Sequence, residues 1–322
     1  MRWYLAMVLT LLSAVPCAVL AQAPPPEWPS KPVKIIVPYP PAGATDIAAR
    51  VVAEKLTKAF GQTFVVENKP GAAGTIGMEL VAKSAPDGYM LAVIPDVVSS
   101  AGHVYKLSFD PMKDLVPIIQ LSRQPVVLAA HPSINVSTIV ELIALAKSKP
   151  GLGFATSGIG SQQHMAGEWF AKLAGIDLKH IPYKGGGQAI NDLVAGQVPL
   201  AVLGSSPLLP HYKSGKIKLL AQTTAGRAPT LADVPTFGEA GFKDLVLDQW
   251  LGLFAPAGMS QSVIAKLNAE INKALKEADV LERFGQSALE AVGGSPADFA
   301  KLVTSDFEKY GRIVKDLNIK VE

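Results

Sequence analysis

The run Ile35-Ile36-Val37-Pro38-Tyr39-Pro40-Pro41-Ala42-Gly43-Ala44-Thr45-Asp46 constrains this chain more than any other segment. A β-branched apolar stretch ends in a turn of prolines and small residues. The turn opens directly onto a helical pattern with Ile47, Val51, Val52, Leu56 and Phe60 on its apolar positions. Such a strand–loop–helix junction belongs to an α/β fold. It aims unpaired N–H groups, and the positive end of a helix dipole, at whatever lies in front of it. The loop carries no basic side chain, so its amides are the anion donors, suited to a carboxylate or a phosphate.

The same rhythm continues along the chain. Strands are expected at 33–37, 63–67 and 89–94, with helices at 46–60 and 75–84 between them. A second series starts with a strand at 125–130. Thr138 and Glu141 have the spacing of a capping box opening the next helix. Strands follow at 152–156, 178–182, 198–203 and 217–222, separated by helices near 162–174, 188–195 and 207–214. Gly175, Gly196 and Gly215 each stand where a left-handed helix C-cap is wanted. After a last strand at 250–255 the pattern turns helical (260–278, 279–290 and 295–317), the final helix opening on Ser295-Pro296-Ala297-Asp298. Two βα series with a helical tail imply two lobes, each a mostly parallel sheet flanked by helices.

The N-terminus reads as an address. Arg2 precedes an apolar stretch from Leu5 to Leu20, and Ala21 offers a signal-peptidase site, so residues 1–21 are expected to be a signal peptide. Cleavage after Ala23 is disfavoured because Pro24 would follow the cut. The single cysteine, Cys17, lies inside this segment without the small residue that precedes a lipoprotein cysteine. The mature chain therefore has no disulfide and no thiolate ligand. Removing Arg2 with the leader lowers the formal charge from +3 to +2, too balanced for a nucleic-acid binder. Residues 22–32 form a proline-rich lead-in, and the product is expected in the periplasm.

Catalytic and metal chemistry find little support. The five histidines, at 103, 131, 164, 180 and 211, lack metal-ligand spacing. Gly204-Ser205-Ser206-Pro207 lacks the second glycine of a nucleophile elbow. Gly158-Ile159-Gly160-Ser161-Gln162-Gln163 has glutamine where a dinucleotide fingerprint needs its third glycine. No metal, no cofactor and no enzymatic activity are expected. Ligand-holding loops are better represented. The segment from Ser157 and Gly158 through Ser161 and Gln162 to His164 follows a strand and opens a helix, repeating the layout at 42–46 in the other series. A third junction, 180–187, adds Tyr183 and three glycines. Loops of this kind facing each other across a crevice would converge on one polar molecule.

Together these segments resemble the receptors of tripartite tricarboxylate transporters, the TctC or Bug type. The resemblance is carried by 39–50, Val65-Val66-Glu67-Asn68-Lys69-Pro70-Gly71, Ala85-Pro86-Asp87-Gly88-Tyr89, Leu107-Ser108-Phe109-Asp110-Pro111, 157–168, Pro182-Tyr183-Lys184-Gly185 and Asp233-Val234-Pro235-Thr236, and covers essentially the whole mature chain. It implies a two-lobed periplasmic binding protein of type II-like architecture that closes over a small carboxylate and serves a two-component membrane permease. By the same resemblance the first loop (Ala42, Gly43, Ala44, Thr45, Asp46) meets a ligand carboxylate and the 157–164 loop opposes it. Tyr39, Asp96, Tyr183 and Gly204 complete the expected site.

The chain departs from the family pattern in places. Ala42 stands for the first glycine of a pair, and an alanine held at positive φ costs about 1 kcal/mol. Pro199 replaces an aspartate, a further acid near Leu203 or Gly204 is missing, and Asp96 is read as restoring one. Lobe 1 is assigned to 33–123 plus 249–322 and lobe 2 to 124–248, with crossovers near Arg123-Gln124 and 247–249 and the helical tail on lobe 1. The expected protein is a monomer that captures a mono- or dicarboxylate, an aromatic or apolar body included, and binds no nucleic acid. A sensing receptor with the same cleft, and an exported hydrolase using Ser157 or Ser161 with His164, are the alternatives.

Overall fold

The computed structural model describes residues 27–319. The expected signal peptide and its cleavage point lie outside the described residues. In chain order the first part runs β1 (Val33–Val37), α1 (Ala44–Phe60), β2 (Phe64–Asn68), α2 (Thr75–Ala82), β3 (Met90–Pro95), α3 (Val97–Val104), the single turn α4 (Pro111–Asp114) and β4 (Leu115–Ala130). The second runs α5 (Ile139–Ser148), β5 (Leu152–Thr156), α6 (Gln162–Ala174), β6 (Leu178–Pro182), α7 (Gly186–Val194), β7 (Leu200–Gly204), α8 (Ser205–Lys213) and β8 (Lys218–Gln222). The last comprises β9 (Asp248–Pro256), α9 (Gln261–Ala274), α10 (Ala278–Gln286), the two-residue β10 (Glu290–Ala291) and α11 (Pro296–Asp316).

The strands line up in the order β2-β1-β3-β9-β4-β7-β5-β6, with β8 and β10 also pairing on β4. The outer members, β2-β1-β3 and β7-β5-β6, are parallel, while β9 and β4 run antiparallel to their neighbours. Each lobe is thus a mixed sheet, parallel where βα units build it and antiparallel where the chain passes between lobes. β4 is that passage. Its residues from Leu115 to Pro125 pair with β9 in the first lobe, and Val126 to Ala130 pair with β7 and β8 in the second.

Period-two alternation places a core on both faces of each half. Ile35, Leu91, Val93, Leu251 and Leu253 point into one cluster with α1 and α9. Ile36, Ala92, Ile94, Trp250 and Phe254 point the other way, against α2, α3 and the start of α11. In the second lobe Val126, Leu128, Leu200 and Val202 oppose Val127, Ala129, Ala201 and Leu203 in the same manner.

Four local expectations are corrected. β4 begins at Leu115, ten residues earlier than expected, because Pro117 sits at a register shift and Pro125 at the passage between lobes, where a missing N–H is tolerated. α3 has no counterpart in the sequence pattern, since Val97-Val98-Ser99-Ser100 are weak helix formers, and packing fixes it instead. The expected 279–290 helix stops at Gln286, and Glu290–Ala291 joins β4. The helical tail is not confined to the first lobe. α11 starts there with Phe299 and Val303, then puts Tyr310, Ile313 and Val314 into the second lobe's core.

Candidate functional site

A cleft of about 520 Å³ lies between the lobes at the carboxyl ends of the strands. Open α/β sheets place ligands there, because each strand end hands over to a helix N-terminus. Five such handovers meet in this cleft: β1 to α1 at Gly43, β3 to α3 at Asp96, β5 to α6 at Ser161, β6 to α7 at Gly185 and β7 to α8 at Gly204. Only α6 is capped by its own N-cap side chain, Ser161 Oγ accepting from the His164 amide; the other four have no such cap. Among the described residues no lysine or arginine lines the cleft. Its positive potential comes from backbone dipoles.

The first loop is held by an internal brace. Asp46 accepts from the Ala42 amide at 3.1 Å, from Arg50 Nε and Nη2 at 2.9 Å each, and from Asn68 Nδ2 at 3.0 Å. Burial alone would raise the Asp46 carboxyl, but the bonds from Arg50, Asn68 and Ala42 outweigh it and hold the group below the usual carboxylate range. Asn68 also donates to the Tyr39 carbonyl, and the Tyr39 hydroxyl donates to the Ala73 carbonyl at 2.9 Å. Ala42 takes φ 68°, the strained value for a non-glycine residue, while Gly43 is extended, with its nearest prospective Cβ neighbour, Pro40 O, at 4.0 Å. Tyr39, Ala42, Gly43, Ala44 and Thr45 line the cleft; Asp46 stands behind it as the brace.

On the opposite wall Ser157, Ser161, Gln162 and Gly204 line the cleft, whereas Gly158, His164 and Tyr183 do not. His164 is turned into the lobe, where its ring stacks on His180 at 3.7 Å and its Nδ1 accepts from the Gly160 amide at 3.1 Å. Burial, with His164 alongside, pushes His180 down to about 3. The Tyr183 hydroxyl donates to Asp192 at 2.6 Å. Ser161 Oγ donates to the Gly158 carbonyl, and Ser157 Oγ donates to Gln163 Oε1. Among the described residues neither serine hydroxyl bonds a histidine ring, so the hydrolase alternative lacks its nucleophile–base pair.

Several cleft residues carry no signal of their own in the sequence. Gln124 and Gln249 are adjacent partners at the β4–β9 passage, joined by a 2.8 Å bond from Gln124 Nε2 to Gln249 Oε1, and Gln124 Oε1 accepts from the Ser206 amide. Gly204 leaves room for this pair, since a Cβ there would lie 2.5 Å from Gln249 Oε1. Gln163, Asn191 and His211 also line the wall. The crossover positions and the 180–187 glycine loop are the only sequence features that point here.

Two residues of the cleft lining carry buried polar atoms that have no hydrogen-bond partner among the described residues. Asp96 is 1% exposed, and neither carboxylate oxygen has a hydrogen-bond partner among the described residues; Gln162 Oε1 is likewise unpaired, its Nε2 being used on Asp248 O and the Tyr310 hydroxyl. Burial, and after it the Asp306 charge, raise Asp96 to about 8; the Gln249 amide, the backbone amide of Asp96 itself and Lys309 offset only part of this. The lobes touch beside the cleft. Ser100 Oγ donates to Gly160 O and Tyr105 Oη to Ile159 O, both at 2.7 Å. Among the described residues no group of three or more His, Cys, Asp or Glu is placed to hold a metal ion, and no helix is long and apolar enough to cross a membrane.

Residues 48–319 match the family model described as tripartite tricarboxylate transporter family receptor. The protein BugT of Bordetella pertussis is 34% identical over 302 residues, 92% of each chain. The structure of Rhodopseudomonas palustris Rpa4515 with adipate is similar at a TM-score of 0.88 and 30% identity, covering 92% of this chain and all of the other. The structure of MatC from the same organism with bound malate gives 0.84 and 31%, covering 89% of this chain and all of the other.

Proposed function

The chain belongs to the tripartite tricarboxylate transporter receptor family, and we propose that its cleft captures a small mono- or dicarboxylate and presents it to a tripartite tricarboxylate-type membrane permease. Family membership makes it a periplasmic solute-binding receptor and not an enzyme. The observation that carries the ligand class is the meeting of five helix N-termini in a cleft with no lysine or arginine, among the described residues, on its walls.

Such a site suits an anion small enough to be reached by main chain from several sides. Each terminus contributes roughly 0.3–1 kcal/mol when exposed and up to ~2 kcal/mol when partly buried. Enclosure strengthens these contacts by excluding water. In this reading Gly43, Ala44 and Thr45 offer amides from lobe 1 (33–123 plus 249–322, the end of α11 reaching into the second lobe's core). Gln162, Gln163, Gly185 and Gly186 offer them from lobe 2 (124–248). Ser157 and Ser161 shape that wall, since their hydroxyl protons are already used within it. The lobes hinge at the Gln124–Gln249 pair. Adipate and malate in the two Rhodopseudomonas proteins support the ligand class, and the apolar share of the wall (Pro40, Val97, Ile190, Leu203) accommodates a hydrocarbon body.

A thermal-shift screen of organic acids, with adipate, malate and benzoate included, tests this. An acid at 100 times its dissociation constant adds about 2.7 kcal/mol of stability. No shift from any mono- or dicarboxylate at millimolar concentration would overturn the reading.

A further inference from the structure

Among the described residues Asp96 is the one acidic residue lining the cleft, its carboxylate oxygens buried just behind the surface, and it sits where a negative charge is least expected. An ionised carboxylate there would be buried, with neither oxygen in a hydrogen bond or ion pair among the described residues, and would lie beside the anion that the surrounding amides are arranged to attract. Resting on the functional reading above, we propose that Asp96 holds a proton at neutral pH and donates it in a hydrogen bond to a carboxylate of the ligand, so that the acid is captured together with one proton. The O–H bond stays on Asp96; the ligand oxygen accepts.

The groups around Asp96 support this element by element. On β9, the Gln249 side chain favours the ionised form, while its Oε1 is taken by Gln124. From α11, Asp306 opposes the ionised form and Lys309, ion-paired to Asp306 at 2.8 Å, favours it. Tyr39 after β1, half-buried, and Tyr310 on α11, fully buried, are phenols pushed well up, and so stay neutral hydroxyls throughout the useful pH range. The backbone amide of Asp96 itself acts toward ionisation, together with Gln249 and Lys309. Burial and Asp306 outweigh them, and the carboxyl is raised to about 8. A bound carboxylate adds a further like charge and raises it again. His211, on α8, is the remaining titratable side chain that lines the cleft with Tyr39 and Asp96.

The consequence is a linkage between ligand and proton. Below the free-protein value Asp96 is already protonated and affinity is flat. Above it each pH unit requires uptake of the proton on binding, and Kd rises about tenfold per unit. Neutral asparagine supplies the same donor without titrating, so Asp96→Asn is expected to bind within a few-fold of the native protein at pH 6 and to keep that Kd to pH 9. Asp96→Leu, with no donor, is expected to lose at least tenfold at every pH. Any effect of His211 would appear equally in the native protein and in the Asp96→Asn variant.

The experiment is calorimetric titration of the full mature chain with adipate, malate and benzoate from pH 6 to 9. Carbon NMR of the ligand-free protein, with the Asp96→Asn variant identifying the resonance, gives the Asp96 carboxyl directly. Titration of that resonance near 8, with a pH-dependent Kd that Asp96→Asn flattens, is the expected result. A resonance that titrates near the ordinary carboxylate value of about 4 overturns the proposal whether or not an acid has been found. Tight binding with a pH-independent Kd overturns it while leaving the functional reading intact. An amine-bearing acid that binds tighter as pH rises and is lost in Asp96→Asn overturns it too, by making Asp96 the ionised partner of an ammonium group.

Discussion

Two aspartates at neighbouring strand ends carry opposite electrostatics. Asp46 is held below its ordinary value by Arg50, Asn68 and the Ala42 amide. Its contribution to stability is full above the unfolded value of about 3.8 and is lost as pH falls through the folded one. Asp46→Ala strands the Ala42 amide, removes the carboxylate partner of Arg50 and one bond of Asn68, and is expected to cost about 1.5–3 kcal/mol in urea unfolding at pH 7. Equal stability would remove the brace. Asp96 runs the other way. Raised from 3.8 to about 8, it costs the fold nothing below 3.8, and the penalty grows until pH reaches about 8. Asp96→Asn should therefore match the native protein at pH 4 and exceed it at pH 8. A shift of this size corresponds, at about 1.4 kcal/mol per unit, to several kcal/mol at most. A stability difference that does not change with pH would contradict the assigned proton. Ala42 is the third case. At φ 68° it sits where glycine is unstrained, and Ala42→Gly is expected to raise stability by about 1 kcal/mol. No gain would mean that loop entropy in the unfolded chain cancels the relief.

At the scale of elements, what is legible in the sequence is local and what it hides is tertiary. The β1–α1 junction, the Thr138 cap on α5, the Ser295 cap on α11 and the left-handed glycines 175, 196 and 215 all stand as their residue types require. Those signals act over a few residues, so a pattern carries them. α3 is hidden because its β-branched and serine residues form a helix only when packed, with Ser99 Oγ donating to Val303 O on α11. The early start of β4 is hidden behind two prolines that this strand tolerates at a register shift and at the passage between lobes. The site shows the same division. Gly43, Ala44, Ser157, Ser161 and Gly204 are readable from loop chemistry, whereas His164, a reasonable candidate from its place at a helix start, points inward to His180. Gln124 and Gln249, 125 residues apart, meet only because β4 and β9 pair. Packing of α11 on the sheet has its own test at Gly252 on β9, where a Cβ would lie 2.0 Å from Phe299 Cζ. Gly252→Ala is expected to destabilise by about 1–3 kcal/mol in chemical denaturation. A neutral effect would show that α11 shifts freely.

At the scale of the whole molecule the two lobes also meet beside the cleft. Ser100 and Tyr105 lie outside the cleft lining, yet their hydroxyls bond the second lobe's 159–160 segment. Each such bond contributes about 0.5–1.5 kcal/mol net. Removing both, with Ser100→Ala and Tyr105→Phe, is therefore expected to shift the open–closed balance several-fold or more. Solution scattering of the ligand-free double variant should give a larger radius of gyration than the native protein, and affinity should fall although no cleft residue has changed. An unchanged radius and affinity would mean that these contacts persist in both states. In the proposed function, main-chain amides at converging helix termini hold a carboxylate without a cationic side chain. The most direct measurement of this is calorimetric titration with the acid selected by the screen and with its neutral amide, on native protein and on Gly43→Val. Gly43 has ordinary φ and free space around its Cα, so valine there should leave the melting temperature in place while obstructing approach to the α1 terminus. The expected result is one-to-one binding of the acid, no binding of the amide, and at least a tenfold loss in Gly43→Val at unchanged melting temperature. Equal binding of acid and amide, or full affinity in a normally folded Gly43→Val protein, would contradict it.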